Sequence, residues 1–310
     1  MKIAFVFPGQ GSQSVGMLAS FAGDARVASV VQRASDALGQ DLGRLMAEGP
    51  AEELGLTVNT QPCMLTAAYA MFAAWRAACG AMPAMVAGHS LGEYTALTAA
   101  GAFALEDAVR FVRVRAQAMQ DAVPVGVGAM AAILGLDDAQ VRAACEESAQ
   151  GEVVEAVNFN APAQVVIAGH KAAVDRACVA AKARGAKRAV ILPVSAPFHS
   201  SLLAPAREKL RERLAQVPLV APQVMVIHNV DVSSSFDPAT IRETLARQAA
   251  SPVRWSETIS RMAAEGVTHV VECGPGRVLS GLTKRIVGSL ESLAITDAAS
   301  LADVRAKLGG

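Results

Sequence analysis

Residues 82–95 read MPAMVAGHSLGEYT, and Gly88-His89-Ser90-Leu91-Gly92 stands at their centre. An apolar run, Met85-Val86-Ala87, leads into the pentapeptide, and a helix-forming run from Glu93 to Leu97 leads out of it. That order predicts a strand, a sharp turn and a helix, the setting a nucleophile elbow needs. A serine on so tight a turn has its hydroxyl pushed out of the sheet. Side chains at 88 and 92 would collide with the neighbouring strand and helix, so both positions call for glycine. The first turn of the helix offers the Leu91 N–H where an oxyanion would form. An ordinary strand-to-helix turn with small residues is the competing reading, and a bare G-x-S-x-G arises often by chance. The strand before it and the helix after it favour the elbow, and with it acyl chemistry on a serine.

Outward from this motif the chain alternates strands and helices. Residues 3–7 (IAFVF) read as a buried strand, followed by the loop PGQGSQSVG, and helical patterns dominate from about 25 to 80. Beyond the elbow a helix runs from Leu105 to about Val123, and Pro124-Val125-Gly126-Val127-Gly128 punctuates the chain. Strands at 129–135, 153–159, 164–169 and 187–194 then enclose helices from Asp137 to Ser148 and from Lys171 to Arg184, with Asn160-Ala161-Pro162 read as a turn. The order β-α-β-β-α-β is ferredoxin-like, and its length suits a small inserted domain. After Pro197 come a helix at 202–216, a strand at 223–230, helices at 238–248 and 255–265, and a strand at 267–273. Gly274-Pro275-Gly276 turns into a further helix. The expected fold class is α/β: a large domain over 1–124 and 197–310 with a mostly parallel sheet covered on both faces, and a ferredoxin-like domain at 125–196.

Composition bounds the function. Of 310 residues, 52% are hydrophobic and 18% charged, enough to bury a sizeable core and too apolar for disorder. The 28 basic and 28 acidic residues cancel, which argues against nucleic acid as a partner. Five cysteines (63, 79, 145, 178 and 273) form no CxxC pair, which fits reduced core thiols better than disulfides or a metal site. The opening MKIAFVFPGQ has too few apolar residues before its proline for a signal peptide. The longest apolar run, Pro62 to Trp75, falls short of a membrane span. The expectation is a cytoplasmic protein without a membrane partner.

A serine needs a base, usually histidine. His89 adjoins Ser90 on the turn, where its ring points away from the hydroxyl; His228 and His269 sit in apolar strand patterns; His170 ends a strand of the small domain. His199, in Ser195-Ala196-Pro197-Phe198-His199-Ser200, lies between a strand's C-terminal end and a helix, the edge at which ligands gather in open α/β sheets. Position alone leaves it level with the other four together. No acid between serine and histidine stands at an obvious strand end of the main sheet, so a neutral carbonyl is the expected orienter of the imidazole. In LEDAVRFVRVRAQAMQ, Ala108, Val112, Arg115 and Met119 share one helical face, so Arg115 interrupts an apolar stripe. A buried guanidinium demands an anion. Spacing leaves both an internal ion pair and a substrate carboxylate open, the former slightly ahead. The loop Phe7 to Gln13 is either a plain turn or the carrier of a second oxyanion donor.

Taken together, FPGQGSQ, GHSLGEY, Arg115, Val125 to Met130, Asn158-Phe159-Asn160 with the following QVVIAG, and the His199 loop resemble the malonyl-CoA:acyl carrier protein transacylases of dissociated fatty acid synthesis, from Phe5 to about Leu282. The resemblance implies an α/β-hydrolase-like large domain with a ferredoxin-like insertion. It implies Ser90 as nucleophile, His199 as base, the Gln10 and Leu91 N–H groups as oxyanion hole, and Arg115 as partner of the malonyl carboxylate. A backbone carbonyl near Gln248 would orient His199, and Gln61 and Asn160 match family positions near the cleft. The implied reaction is ping-pong malonyl transfer from malonyl-CoA to acyl carrier protein, with no metal and no cofactor beyond the substrates. Carrier proteins are acidic, which draws attention to Lys171, Lys182, Arg184, Lys187, Arg188 and the Lys284-Arg285 pair, although a solvated helix face explains each equally well. A discrete polyketide acyltransferase, a serine ester hydrolase releasing free malonate, and a non-catalytic scaffold are the competing readings. Intact Ser90, His199 and Arg115 speak against the scaffold.

Overall fold

Ile3–Phe7 (β1) is apolar at every position and becomes the middle strand of a five-stranded sheet. This structure, a computed structural model, describes residues 1–79 and 82–309. The end of the helical stretch read over 25–80 and the last residue of the 197–310 segment lie outside those residues. On one side of β1 are Met85–Gly88 (β2) and, beyond it, Met225–Ile227 (β7); on the other are His269–Cys273 (β8) and Glu291–Ile295 (β9). Every pairing is parallel. Alternate residues of a strand face opposite ways. Phe5 and Phe7 therefore pack on Phe72 and Trp75 of the helix Thr57–Cys79, while Ala4 and Val6 join Ile227, Trp255 and Ile259 on the other face.

The second sheet is antiparallel. Gly128–Leu134 (β3), Val154–Ala161 (β4), Gln164–His170 (β5) and Arg188–Ile191 (β6) take the order β4-β5-β3-β6. The helices Asp138–Ala149 and Lys171–Ala183 share a separate apolar core with it. Among the contacts that tie it to the large domain, two lie in the backbone framework. Residue 253 pairs with β4, through Phe159 N–H to the Val253 carbonyl (3.0 Å) and Val253 N–H to the Val157 carbonyl (2.8 Å). Gly128 abuts Pro197 so closely that an added Cβ would lie 2.4 Å from its ring.

Several boundaries differ from the sequence reading. Asn160 and Ala161 belong to β4, and Ala163, with φ of 58°, carries the turn that follows. β6 stops at Ile191, two residues before Pro193, which has no N–H to offer a ladder. The helix read at 202–216 is a 3₁₀ turn, Ser201–Leu203, and then Ala204–Leu214. β9 and the helix Ala298–Leu308 are additions that the sequence reading missed. β9 is a short edge strand with a polar start, which weakens its pattern.

Among the described residues no helix is long and apolar enough to cross a membrane, and no group of three His, Cys, Asp or Glu could hold a metal ion.

Candidate active site

The turn after β2 is as tight as its glycines suggest. A Cβ on Gly88 would fall 1.9 Å from the Gly92 backbone, and one on Gly92 would fall 2.0 Å from the Phe7 carbonyl oxygen. Ser90 between them has φ of 53°, a left-handed conformation rare for any residue but glycine. Two side-chain amides hold it there. Ser90 N–H donates to Asn229 Oδ1 (2.7 Å), and Gln248 Nε2 donates to the Ser90 carbonyl (3.0 Å). Asn229 Nδ2 donates in turn to the Gly88 carbonyl (2.7 Å). The loop after β1 lies directly against the elbow: His89 N–H donates to the Phe7 carbonyl at 3.0 Å. Neither the Gln10 nor the Leu91 N–H donates to a protein acceptor among the described residues.

His199 also has a positive φ, 67°. Its Nε2 lies 2.7 Å from Ser90 Oγ and its Nδ1 3.0 Å from the Gln248 carbonyl oxygen. A carbonyl only accepts, so Nδ1 carries the proton and Nε2 is free to receive one from the serine. Burial pushes His199 down to about 3, repulsion from the Arg115 guanidinium adds to the fall, and the bond to Gln248 opposes it. The ring is therefore neutral at neutral pH. Among the described residues no carboxylate touches it. The other four histidines are engaged elsewhere. His89 Nε2 meets Asn160 Oδ1 at 2.8 Å, and burial lowers its pKa. His228 bonds Glu93, His170 accepts from Val153 N–H, and His269 pairs with Thr268.

Arg115 is 1% exposed, on the helix Leu105–Asp121. Nη1 donates to Gln61 Oε1 (2.8 Å); Nη2 donates to Gln248 Oε1 (2.9 Å) and to Ser90 Oγ (3.1 Å). The guanidinium carbon stands 5.2 Å from the centre of the Tyr94 ring. No carboxylate among the described residues pairs with it, which overturns the internal ion pair that spacing had placed slightly ahead. Burial disfavours its charged form and lowers its pKa. Removing one partner from a buried charge pair costs about 3–5 kcal/mol, and this cation waits without a directly bonded anion. Because a guanidinium only donates, both glutamines turn Oε1 towards it and Nε2 away. Gln61 Nε2 then reaches Gln10 Oε1 at 3.0 Å, which links the cation to the loop after β1.

Two buried residues here escaped the sequence reading, Glu93 and Asn229, while His228, set aside there as part of an apolar strand pattern, is buried beside them. Glu93 was visible inside the motif, one position after Gly92, but nothing in the pattern showed that it faces inward. Asn229 and His228 sit just beyond the short strand β7, where no motif points to them.

The basic residues divide. Lys187 N–H donates to the Leu134 carbonyl and Arg188 stands opposite Leu134, at one end of β3. Lys171 N–H donates to the Val127 carbonyl, at the other end, beside the Pro197 loop that carries His199. The seven residues of β3 set the two ends about 20 Å apart.

Comparison with known proteins places these groups in a family context. The acyl transferase domain family matches residues 4–304. The malonyl CoA-acyl carrier protein transacylase of Salmonella typhimurium is 54% identical over 301 residues, which cover 97% of this chain and 97% of that protein. The crystal structure of an acyl-carrier-protein S-malonyltransferase from Burkholderia pseudomallei superposes with a TM-score of 0.97 at 65% identity, over 98% of this chain and 99% of the other. A malonyl-transacylase solved in complex with its type II PKS acyl-carrier protein gives a TM-score of 0.97 at 48% identity, over all of both chains.

Proposed function

The chain belongs to the acyl transferase domain family, among its malonyl CoA-acyl carrier protein transacylases, and from that membership we propose how its own residues carry the reaction. It is an acyltransferase that moves the malonyl group of malonyl-CoA to the thiol of acyl carrier protein, supplying units for fatty acid biosynthesis. In our reading Ser90 is the nucleophile and His199 the base. Nε2 takes the Oγ proton as Oγ attacks the thioester carbon, and the resulting oxyanion is met by the Gln10 and Leu91 N–H groups. Collapse breaks the C–S bond, coenzyme A leaves with the proton from His199, and a malonyl-serine ester remains. The carrier's thiol then gives its proton to His199, attacks the ester, and releases Ser90 as the free alcohol. The Gln248 carbonyl does the orienting that an acid performs in other serine enzymes, so no third ionised group is required.

The observation that carries this assignment is Arg115: a buried cation that touches the reactive hydroxyl and has only neutral partners. A malonyl group bound to Ser90 would bring the carboxylate it lacks, whereas an acetyl group would not. Gln61 and Gln248 hold the guanidinium, and Asn160 sets the His89 ring at the edge of the cleft. The acyl group arrives already activated as a thioester, and we assign the chain no further cofactor. We divide it into a catalytic domain over 1–124 and 197–310 and a small domain over 125–196. Its five free cysteines suit a reducing compartment, which supports a cytoplasmic location.

Peptide mass spectrometry after incubation with malonyl-CoA tests the reading: the ester should sit on Ser90 and vanish on a chase with holo-carrier protein. An ester elsewhere, or one that yields free malonate at a rate indifferent to carrier, overturns it. The relative bound to a type II PKS carrier supplies a second reading in which the acceptor belongs to polyketide assembly; parallel assays with both carriers separate the two.

A further inference from the structure

Behind the elbow lies a carboxylate that the mechanism does not use. Glu93, on the first turn of the helix Gly92–Ala99, is 0% exposed. Its Oε2 accepts from Gln248 Nε2 (2.7 Å) and from Asn229 N–H (3.1 Å), and its Oε1 lies 2.7 Å from His228 Nδ1. These are the two residues whose side chains hold the strained Ser90 backbone, so one carboxylate oxygen anchors both holders. Gln248 is used completely: one Nε2 hydrogen goes to Ser90, the other to Glu93, Oε1 goes to Arg115, and the carbonyl goes to His199.

The amide thus stands between a buried cation and a buried anion, and its orientation admits no alternative. Flipped, it would set its NH₂ against the guanidinium and its oxygen against the carboxylate. His228 is the other group facing Glu93. Its Nε2 has no hydrogen-bond partner among the described residues. Of the three groups that meet the carboxylate, His228 Nδ1, Asn229 N–H and Gln248 Nε2, the last also bonds Arg115 through its Oε1.

We propose that Glu93 is a positioning and specificity-setting residue for malonyl transfer: through the Gln248 amide its carboxylate aligns Arg115 and offsets the guanidinium charge while the acyl site is empty, which tempers the preference for a dicarboxylic acyl group. This rests on Arg115 receiving the malonyl carboxylate. The field of Glu93 also favours the charged form of Arg115 against burial, in keeping with that role.

Glu93→Gln separates charge from shape. The new amide can keep its oxygen where Gln248 and Asn229 donate, and its NH₂ then faces His228 Nδ1, which accepts only if the His228 proton moves to Nε2, where it has no partner among the described residues. Gln248 then stays oriented while Arg115 loses its countercharge. Rates of Ser90 acylation by malonyl-CoA and acetyl-CoA should show the malonyl preference rising on the order of tenfold, with a lower KM for malonyl-CoA. A folded Glu93→Gln protein with an unchanged or reduced preference overturns the proposal. Should the single variant not fold, Arg115→Ala is compared with Arg115→Ala/Glu93→Gln. A higher melting temperature in the double variant supports the charge pairing; an equal or lower one overturns it. The clamp itself fails by a different sign, a malonyl preference that survives Arg115→Ala alone.

Discussion

Two junctions in this molecule have the same construction and opposite fates. β2 and β8 flank β1, and each ends in a glycine-bearing turn that starts a helix: Gly88 to Gly92 before the helix Gly92–Ala99, and Gly274 to Gly276 before the helix Val278–Ile286. At the first, the small Ser90 side chain stands beside the helix terminus and the Leu91 N–H is unspent. At the second, the chain fills its own helix terminus. Glu272, 0% exposed at the end of β8, accepts from Ser280 N–H at 2.7 Å. Burial raises its pKa and the N–H bonds from the helix terminus oppose that rise. A helix N-terminus draws negative charge in either case. In the function we propose, what separates the two is whether the protein supplies that charge itself, as at Glu272, or leaves the place for a reacting oxyanion.

Substitutions should break this contrast with graded force. The largest loss falls at the open junction. Ser90→Ala should abolish the burst of coenzyme A that reports malonyl-enzyme formation, and His199→Ala should slow it by on the order of 10⁴-fold. The pH profile of the wild-type burst sharpens the point. The folded value of His199 is depressed to about 3 from 6.5, so the base stays unprotonated as pH falls and the rate should hold level from pH 8 to 5. A limb near 6.5 would contradict this. The same depression means that below 6.5 the unfolded chain takes up a proton the folded site refuses, so the melting temperature should drop on acidification.

Arg115→Ala comes next. It should erase a malonyl-over-acetyl discrimination of about 3–5 kcal/mol while acetyl-CoA still acylates Ser90. Retained discrimination in competition assays would remove the clamp.

The closed junction should behave differently. Glu272→Ala leaves a buried N–H without its acceptor and should cost about 2–3 kcal/mol in denaturant unfolding, with the malonyl-to-acetyl ratio unmoved. A shifted ratio would mean that this terminus also belongs to the site.

The smallest effect concerns the carrier. Lys171→Glu, near the His199 loop, should raise the carrier KM more than Lys187→Glu with Arg188→Glu at the far end of β3, while acylation by malonyl-CoA stays constant in all. The reverse order would place the carrier on the outer end of the small sheet.

How much of this was readable beforehand follows from the range of the forces involved. The elbow was legible because its constraint is local: two glycines one turn apart, a strand before and a helix after. The parallel core strands were legible from continuous apolar runs, and the small sheet from its rhythm. β9 was not, since an edge strand buries too little to leave a clear pattern. His199 could be singled out by its position at a strand's end, but its preference over the other four histidines needed the 2.7 Å contact with Ser90. Arg115 was visible as a cation in an apolar stripe, and the sequence slightly favoured the wrong partner for it. Helical spacing reports which face a residue occupies and nothing of what lies opposite. Gln61, Gln248, Glu93 and Asn229 come from four distant segments, and the orientations of the three amides are settled by donors and acceptors that meet only when the chain is folded. The sequence alone determined the α/β fold class, the strand–turn–helix setting of Ser90 and the presence of a buried positive charge, because these rest on sterics and periodicity within a few residues. Only the tertiary structure decided that the charge has no carboxylate bonded to it among the described residues, because the partners of a buried ion come from contacts between segments up to 133 residues apart.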